Sequence, residues 1–280
     1  MALVLAGWAA LCYGVADFCG GFAARRSALL PVLVLSQAAG TLVAVMAALA
    51  LGQGVCSRAD LGWGFLAGVT GSLGLFLLYG GLARSIVAIV SPASAMVAAL
   101  LPVLFGLLLG ERPPAPAVAG AALCFPAILL LTWDGDRSTR GGPAARTALG
   151  YGLLAGLGFG CFFITLSRTH AQAGAWPLVA ARAASLTAFA GALLVSRQPF
   201  RISRADLPPA LASGAADMGA NVLFLLAAHG GMLSLVSVIA SLYPAPTVLL
   251  AGIFMHQRVP PIRLAGLALA LTGVALISLR

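Results

Sequence analysis

The chain has 280 residues, of which 61% are hydrophobic and only 8% charged. Soluble domains carry about 25% charged residues, so most of this chain must face lipid rather than water. The net charge of +9 would suit nucleic acid, but the basic residues are all arginine and stand singly or in pairs between apolar runs; that placement excludes a nucleic-acid surface and marks loops that orient helices against a membrane.

A helix crossing the hydrocarbon core needs about 20 mostly apolar residues. Ten such runs follow one another, over 2–22, 31–51, 61–81, 86–109 and 115–133, then 148–167, 177–196, 208–228, 233–255 and 262–279. The first run has no positive segment before it, since Arg25 and Arg26 follow it, and it is too long for a signal-peptide core; it reads as a retained helix. Cys12, Cys19, Cys56, Cys124 and Cys161 form no CxxC and no His/Cys cluster, and four of them lie inside apolar runs. They read as small buried hydrophobes, with no disulfide, structural metal or cofactor expected. No HExxH, GxSxG or P-loop occurs, so no enzyme activity is expected.

The longest polar stretch, Asp134–Arg146, divides the ten runs five and five. The expected domains are a first five-helix unit over 1–134, a linker over 135–146 and a second unit over 147–280. The two units repeat. SRADL at 57–61 returns at 203–207, and shifting the second half back by 146 residues needs no gap: Pro31 falls on Pro177, Val90-Ser91 on Val236-Ser237 and Arg112 on Arg258. Over 57–131 against 203–277, 19 of 75 positions are identical, more than this biased composition produces by accident. A unit of five spans ends on the opposite face from where it began, so its copy enters the membrane upside down. The expected fold is therefore all-α, ten transmembrane helices as two inverted repeats, a device of secondary transporters. Asp60 and Asp206 stand where they can cap the third and eighth helices.

Loops after the odd-numbered runs hold eleven arginines and those on the other side four. The positive-inside rule then places both termini outside the cytoplasm.

ALLPVLFGLLLGERPPAPAVAGAAL at 99–123 and SLYPAPTVLLAGIFMHQRVPPIRLAGLALALTGVAL at 241–276 resemble the two repeats of EamA-like proteins, the ten-helix branch of the drug/metabolite transporter superfamily. The shared pattern is a proline inside a helix, an apolar run, Gly-Glu-Arg, a short loop and a Gly-bearing helix. The second copy departs from it, with His256-Gln257-Arg258 at the Gly-Glu-Arg position. The resemblance implies a multi-pass carrier in the cytoplasmic membrane of a prokaryote, monomer or homodimer, that exports small metabolites or amphipathic compounds through a cavity between the halves. The fifth and tenth helices would support packing rather than line the path. Two other readings remain: a translocase of a lipid-linked substrate, and a membrane scaffold or sensor without flux.

An ionisable group inside a span is costly and is a functional candidate by default. Asp217 lies near the middle of the eighth run and Asp17 lies within the first; neither is repeated, their counterparts being Gly71 and Phe163. Asn221 follows Asp217 by one turn and Tyr13 precedes Asp17 by one turn, so each pair shares a helix face. Asp217, Asn221, Asp17 and Tyr13 are candidates for binding a small-molecule substrate, and Asp217 and Asp17 for carrying a coupling proton; the alternative is hydrogen-bonded packing. Trp8, Tyr79, Phe159, Phe163 and Tyr243 are candidate aromatic lining. Arg182 reads as a snorkelling side chain near a span end, and Gln37 as a hydrogen bond between helices. Pro244 and Pro246 are expected to interrupt the ninth helix, with Pro92 and Pro102 acting similarly in the fourth. Gly64, Gly68, Gly71 and Gly74 would let the third helix approach its neighbours closely.

Overall fold

The computed structural model describes residues 1–51, 56–84, 87–131, 143–197, 199–254 and 260–279. The central linker beyond residue 131, the His256-Gln257-Arg258 segment and the side chain of Pro92 lie outside the described residues.

The described chain is helical, without strands. In order it forms α1 (Ala2–Ala24), α2 (Leu29–Leu51), α3 (Arg58–Arg84), α4 (Val87–Leu108), α5 (Ala115–Leu131), α6 (Pro143–Ser167), a single 3-10 turn (Ala171–Ala173), α7 (Trp176–Ser196), α8 (Leu207–Gly230), α9 (Leu233–Ala240), α10 (Pro244–Phe254) and α11 (Pro261–Ser278). Eight stretches are long and apolar enough to cross a membrane, with α9 and α10 together making one of them over Leu233–Phe254. Ala93–Leu108 and Ala115–Leu131 are shorter apolar helices. These fit the ten expected runs, and the chain is a multi-pass membrane protein.

Side-chain size is sorted as lipid requires. Large apolar residues such as Val4, Leu42, Phe65 and Leu104 point outward, while the buried set is dominated by alanine. Lipid tails are as apolar as leucine, so nothing drives large side chains inward; small residues inside let backbones pack closely. Two positions show how closely. A Cβ on Gly68 of α3 would lie 2.1 Å from the Ala181 carbonyl oxygen of α7, and one on Gly214 of α8 would lie 1.8 Å from the Ser36 carbonyl oxygen of α2.

Helices α1, α2 and α3 intersperse with α6, α7 and α8. α1 packs along α8, α3 along α6 and α7, and α2 along both α7 and α8, while α4 packs against α6 and α9. α5 and α11 pair with each other at the side.

The SRADL segments act differently from the expected simple caps. Ser57 precedes α3, and its hydroxyl accepts from the Asp60 N–H at 3.1 Å while the Asp60 carboxylate accepts from the Ser57 N–H at 3.0 Å. This is a capping box, with Asp60 in the third helical position. Asp60 also accepts from the His170 N–H at 2.8 Å, reaching the loop between α6 and α7. Asp206 stands at the N-cap of α8 but makes no cap bond with its side chain. The residues after Leu207 are Pro208 and Pro209, which lack the N–H groups a cap would bind. The carboxylate instead accepts from the Ser27 hydroxyl at 2.7 Å, in the loop between α1 and α2.

The ninth span is interrupted as expected: α9 ends at Ala240, Ser241–Tyr243 form a turn, and α10 begins at Pro244. The fourth span is not. α4 runs through Pro102 without a break, where one proline costs a single backbone bond instead of two in close succession. Gly110 ends this segment with φ of +89°, a conformation that glycine adopts without steric cost. The Glu111 N–H then bonds back to the Gly106 carbonyl at 3.0 Å, the Schellman geometry. This turn carries the Glu111 carboxylate to the start of α9, where it accepts from the Leu233 N–H at 2.6 Å and the Ser234 N–H at 3.0 Å.

Candidate functional site: a polar network beside an aromatic cavity

Four helices bring their polar side chains to one place. On α8, Asp217 and Asn221 stand one turn apart, and the Asn221 amide N–H donates to the Asp217 carboxylate at 3.1 Å. The Tyr13 hydroxyl, from α1, donates to the Asn221 carbonyl oxygen at 2.6 Å. From α7, Arg182 donates one guanidinium nitrogen to Asp217 and another to the Gln37 side-chain oxygen on α2. Ser185, one turn beyond Arg182, donates to the same Gln37 oxygen at 2.7 Å. The chain of bonds Tyr13–Asn221–Asp217–Arg182–Gln37–Ser185 thus ties α1, α8, α7 and α2 together, and the charges of Asp217 and Arg182 offset each other.

This network borders a cavity of about 80 Å³, several times the roughly 10–15 Å³ that one water needs. Both halves of the chain line it. Asp17 faces it from α1, Gly68, Gly71 and Leu75 from α3, Phe159, Phe162 and Phe163 from α6, and Tyr243 from the turn between α9 and α10. The aromatic wall is continuous. Phe163 lies 5.7 Å from Phe162 and 6.1 Å from Tyr13 by ring centroids, and it stacks on Phe224 behind it at 4.2 Å.

The two aspartates differ in a way their sequence positions do not reveal. Asp217 is ion-paired and hydrogen-bonded. Asp17 faces the cavity with no side-chain hydrogen bond or cation partner among the described residues. Tyr243 presents a buried hydroxyl beside the Ser94 hydroxyl, with no well-formed hydrogen bond to any of the described residues. Asp17, Tyr13, Asp217, Asn221, Phe159, Phe163 and Tyr243 therefore all come to one cavity.

Two expected lining residues do not. Trp8 is 57% exposed on the outer surface of α1, in line with Val4, Leu11 and Val15, because five residues of helix turn it well away from Tyr13. Tyr79 is buried among Leu30, Leu33, Leu78 and Val90, outside the lining. Arg182 does not snorkel. It is 5% exposed and turned inward, because Asp217 and Gln37 offer it a counter-charge and an acceptor that an interface position would not. Arg182, Gln37 and Ser185 are thus site residues beyond the expected set. One signal pointed to them: Arg182 falls well inside an expected span, and an arginine there needs a carboxylate partner.

Comparison with known proteins agrees with this architecture. No curated protein sequence matches the chain. A solved crystal structure, 19% identical in sequence, superposes with a TM-score of 0.77 and covers 99% of this chain and 98% of that one; at that identity the likeness concerns the fold alone. Residues 146–279 match the model of the EamA-like transporter family. With its apolar spans the chain is a multi-pass membrane protein, and its second half, residues 146–279, matches the EamA-like transporter family within the drug/metabolite transporter superfamily.

Proposed function

We propose that this protein is a secondary exporter of small metabolites or amphipathic compounds, working by alternating access between two inverted five-helix repeats and driven by protons through Asp17. The observation that carries the reading is the cavity between the halves, bordered by a carboxylate that has no cation partner among the described residues. An intramembrane carboxylate left open to a cavity is costly unless an exchangeable partner visits it. Asp217 is the other candidate for the proton, but its pairing with Arg182 gives it a fixed partner and favours Asp17.

Reciprocal contacts support the inverted arrangement. Asp60 reaches the loop between α6 and α7, and its counterpart Asp206 reaches the loop between α1 and α2. Gly68 meets α7 at Ala181, and its counterpart Gly214 meets α2 at Ser36. Such exchange is what a two-fold axis between the repeats produces, and an odd number of spans per repeat puts that axis in the membrane plane. The arginine bias supports termini on the non-cytoplasmic face of the cytoplasmic membrane. The cavity argues against a scaffold, in which the polar groups would close on one another. Its lining arginine is paired with Asp217, which gives a lipid-phosphate translocase no free cation.

The test is flux in proteoliposomes across a panel of radiolabelled metabolites, with and without an inward pH gradient. Expected is protein-dependent movement of at least one compound, stimulated by the gradient, with the stimulation lost in Asp17→Asn. Absence of protein-dependent flux across the panel would remove the carrier reading. Gradient-driven flux that survives Asp17→Asn would remove the proton assignment.

A further inference from the structure

The cavity is one positive charge short. Its charged lining is Asp17, Asp217 and Arg182. Arg182 is bonded to Asp217, so Asp17 is the lining charge without an opposite. The phenol of Tyr13, one turn away on the same helix, is committed to Asn221. The phenol of Tyr243 is 6% exposed and lies beside the Ser94 hydroxyl without a well-formed hydrogen bond. Beside these groups the wall is aromatic, formed by Phe159, Phe162 and Phe163, whose faces carry the negative pole of the ring quadrupole and attract cations.

We propose that the cavity takes a monocationic organic amine, with the ammonium at Asp17 and the apolar body against the Phe159–Phe162–Phe163 wall. The biological meaning of this preference rests on the transport reading above; the preference itself is a property of the site. Charge decides among the alternatives. An anion would meet Asp17 unscreened and would have to compete with Asp217 for Arg182. A neutral solute would leave Asp17 compensated by a proton alone and would draw no charge interaction from it. A dication would find one free carboxylate, since Asp217 already holds Arg182. A single positive charge on an apolar body gives Asp17 a counter-charge and the aromatic wall a matching surface at once.

Three probes share a phenethyl body and differ in the charge of the head: phenethylamine, phenethyl alcohol and hydrocinnamate. Their binding to the purified full-length protein in detergent is measured by equilibrium dialysis and competition at neutral pH. The amine is expected to bind tighter than the other two by about tenfold or more, one charge interaction's worth of affinity. Asp17→Asn should abolish that preference, and Asp17→Glu, which keeps the charge, should retain it. Equal or better binding of the alcohol or the acid, no binding of any probe, or an amine preference that survives Asp17→Asn would each overturn the proposal. If Asp17→Asn does not fold, the wild-type series and Asp17→Glu decide. Transport is scored separately with trimethylphenethylammonium, which does not cross lipid unaided. Charge-selective binding without flux upholds this site and removes the carrier reading, whereas flux without charge preference does the reverse.

Discussion

At the scale of single residues, the site depends on which charges have partners. Arg182 is buried and bonded to both Asp217 and Gln37. Arg182→Met should destabilise the protein by up to about 3 kcal/mol, the low end for a buried pair, because it leaves the half-buried Asp217 without its cation. Adding Asp217→Asn should recover much of that loss, and denaturant unfolding in micelles measures both. Arg182→Lys should behave more like methionine than like arginine, since one ammonium cannot span two acceptors as the planar fork does. Asp17, Asp217, Tyr13 and Asn221 were legible in the sequence because polar groups within an apolar run are costly and so informative. The inward turn of Arg182 was not legible, since a long stem near a span end fits either an interface or a buried partner. The misplacement of Trp8 has a different cause. In a helix apolar all round, polarity no longer marks the inner face; residue size does. Ala6, Ala9, Ala10, Gly14, Ala16 and Gly20 are buried while Val4, Trp8, Leu11 and Val15 face outward, and that alternation of small and large was present in the sequence.

At the scale of elements, close approach and helix ends do most of the positioning. Gly214→Ala should lower the melting temperature, because its methyl group would overlap the Ser36 carbonyl and push α8 from α2. Gly191→Ala meets open space on α7, so it should be neutral or stabilising, by up to about 1 kcal/mol from helix propensity. The contrast between the two variants separates close contact from any general effect of glycine removal. Glu111→Ala should cost about 1–3 kcal/mol through two lost charge-assisted bonds at the start of α9, read in the same melts. The partner of Glu111, the start of the ninth span, lies over a hundred residues away and is brought there by packing. The break between α9 and α10 was legible because Pro244 and Pro246 remove two nearby donors.

At the scale of the whole molecule, the repeat makes a topological prediction. Arg58 and Arg204 are counterparts and both are exposed. In a background free of native cysteines, Arg58→Cys and Arg204→Cys should react with a membrane-impermeant maleimide from opposite sides of the membrane. Labelling of both from one side would mean that the two units run in parallel and would end the inverted-repeat reading.

Composition and hydrophobic run length alone determined that this chain lives in lipid as a multi-pass helical protein, because the free energy of moving apolar and charged groups between water and hydrocarbon is additive along the chain. The internal match at a fixed shift of 146 is likewise a property of the sequence alone. Only the tertiary structure decided that Asp217 has a cation, that Asp17 has none, and that Trp8 faces outward. Pairing of charges depends on which helix lies across from which, and residues more than a hundred positions apart, such as Tyr13 and Asn221, meet only once the helices have packed.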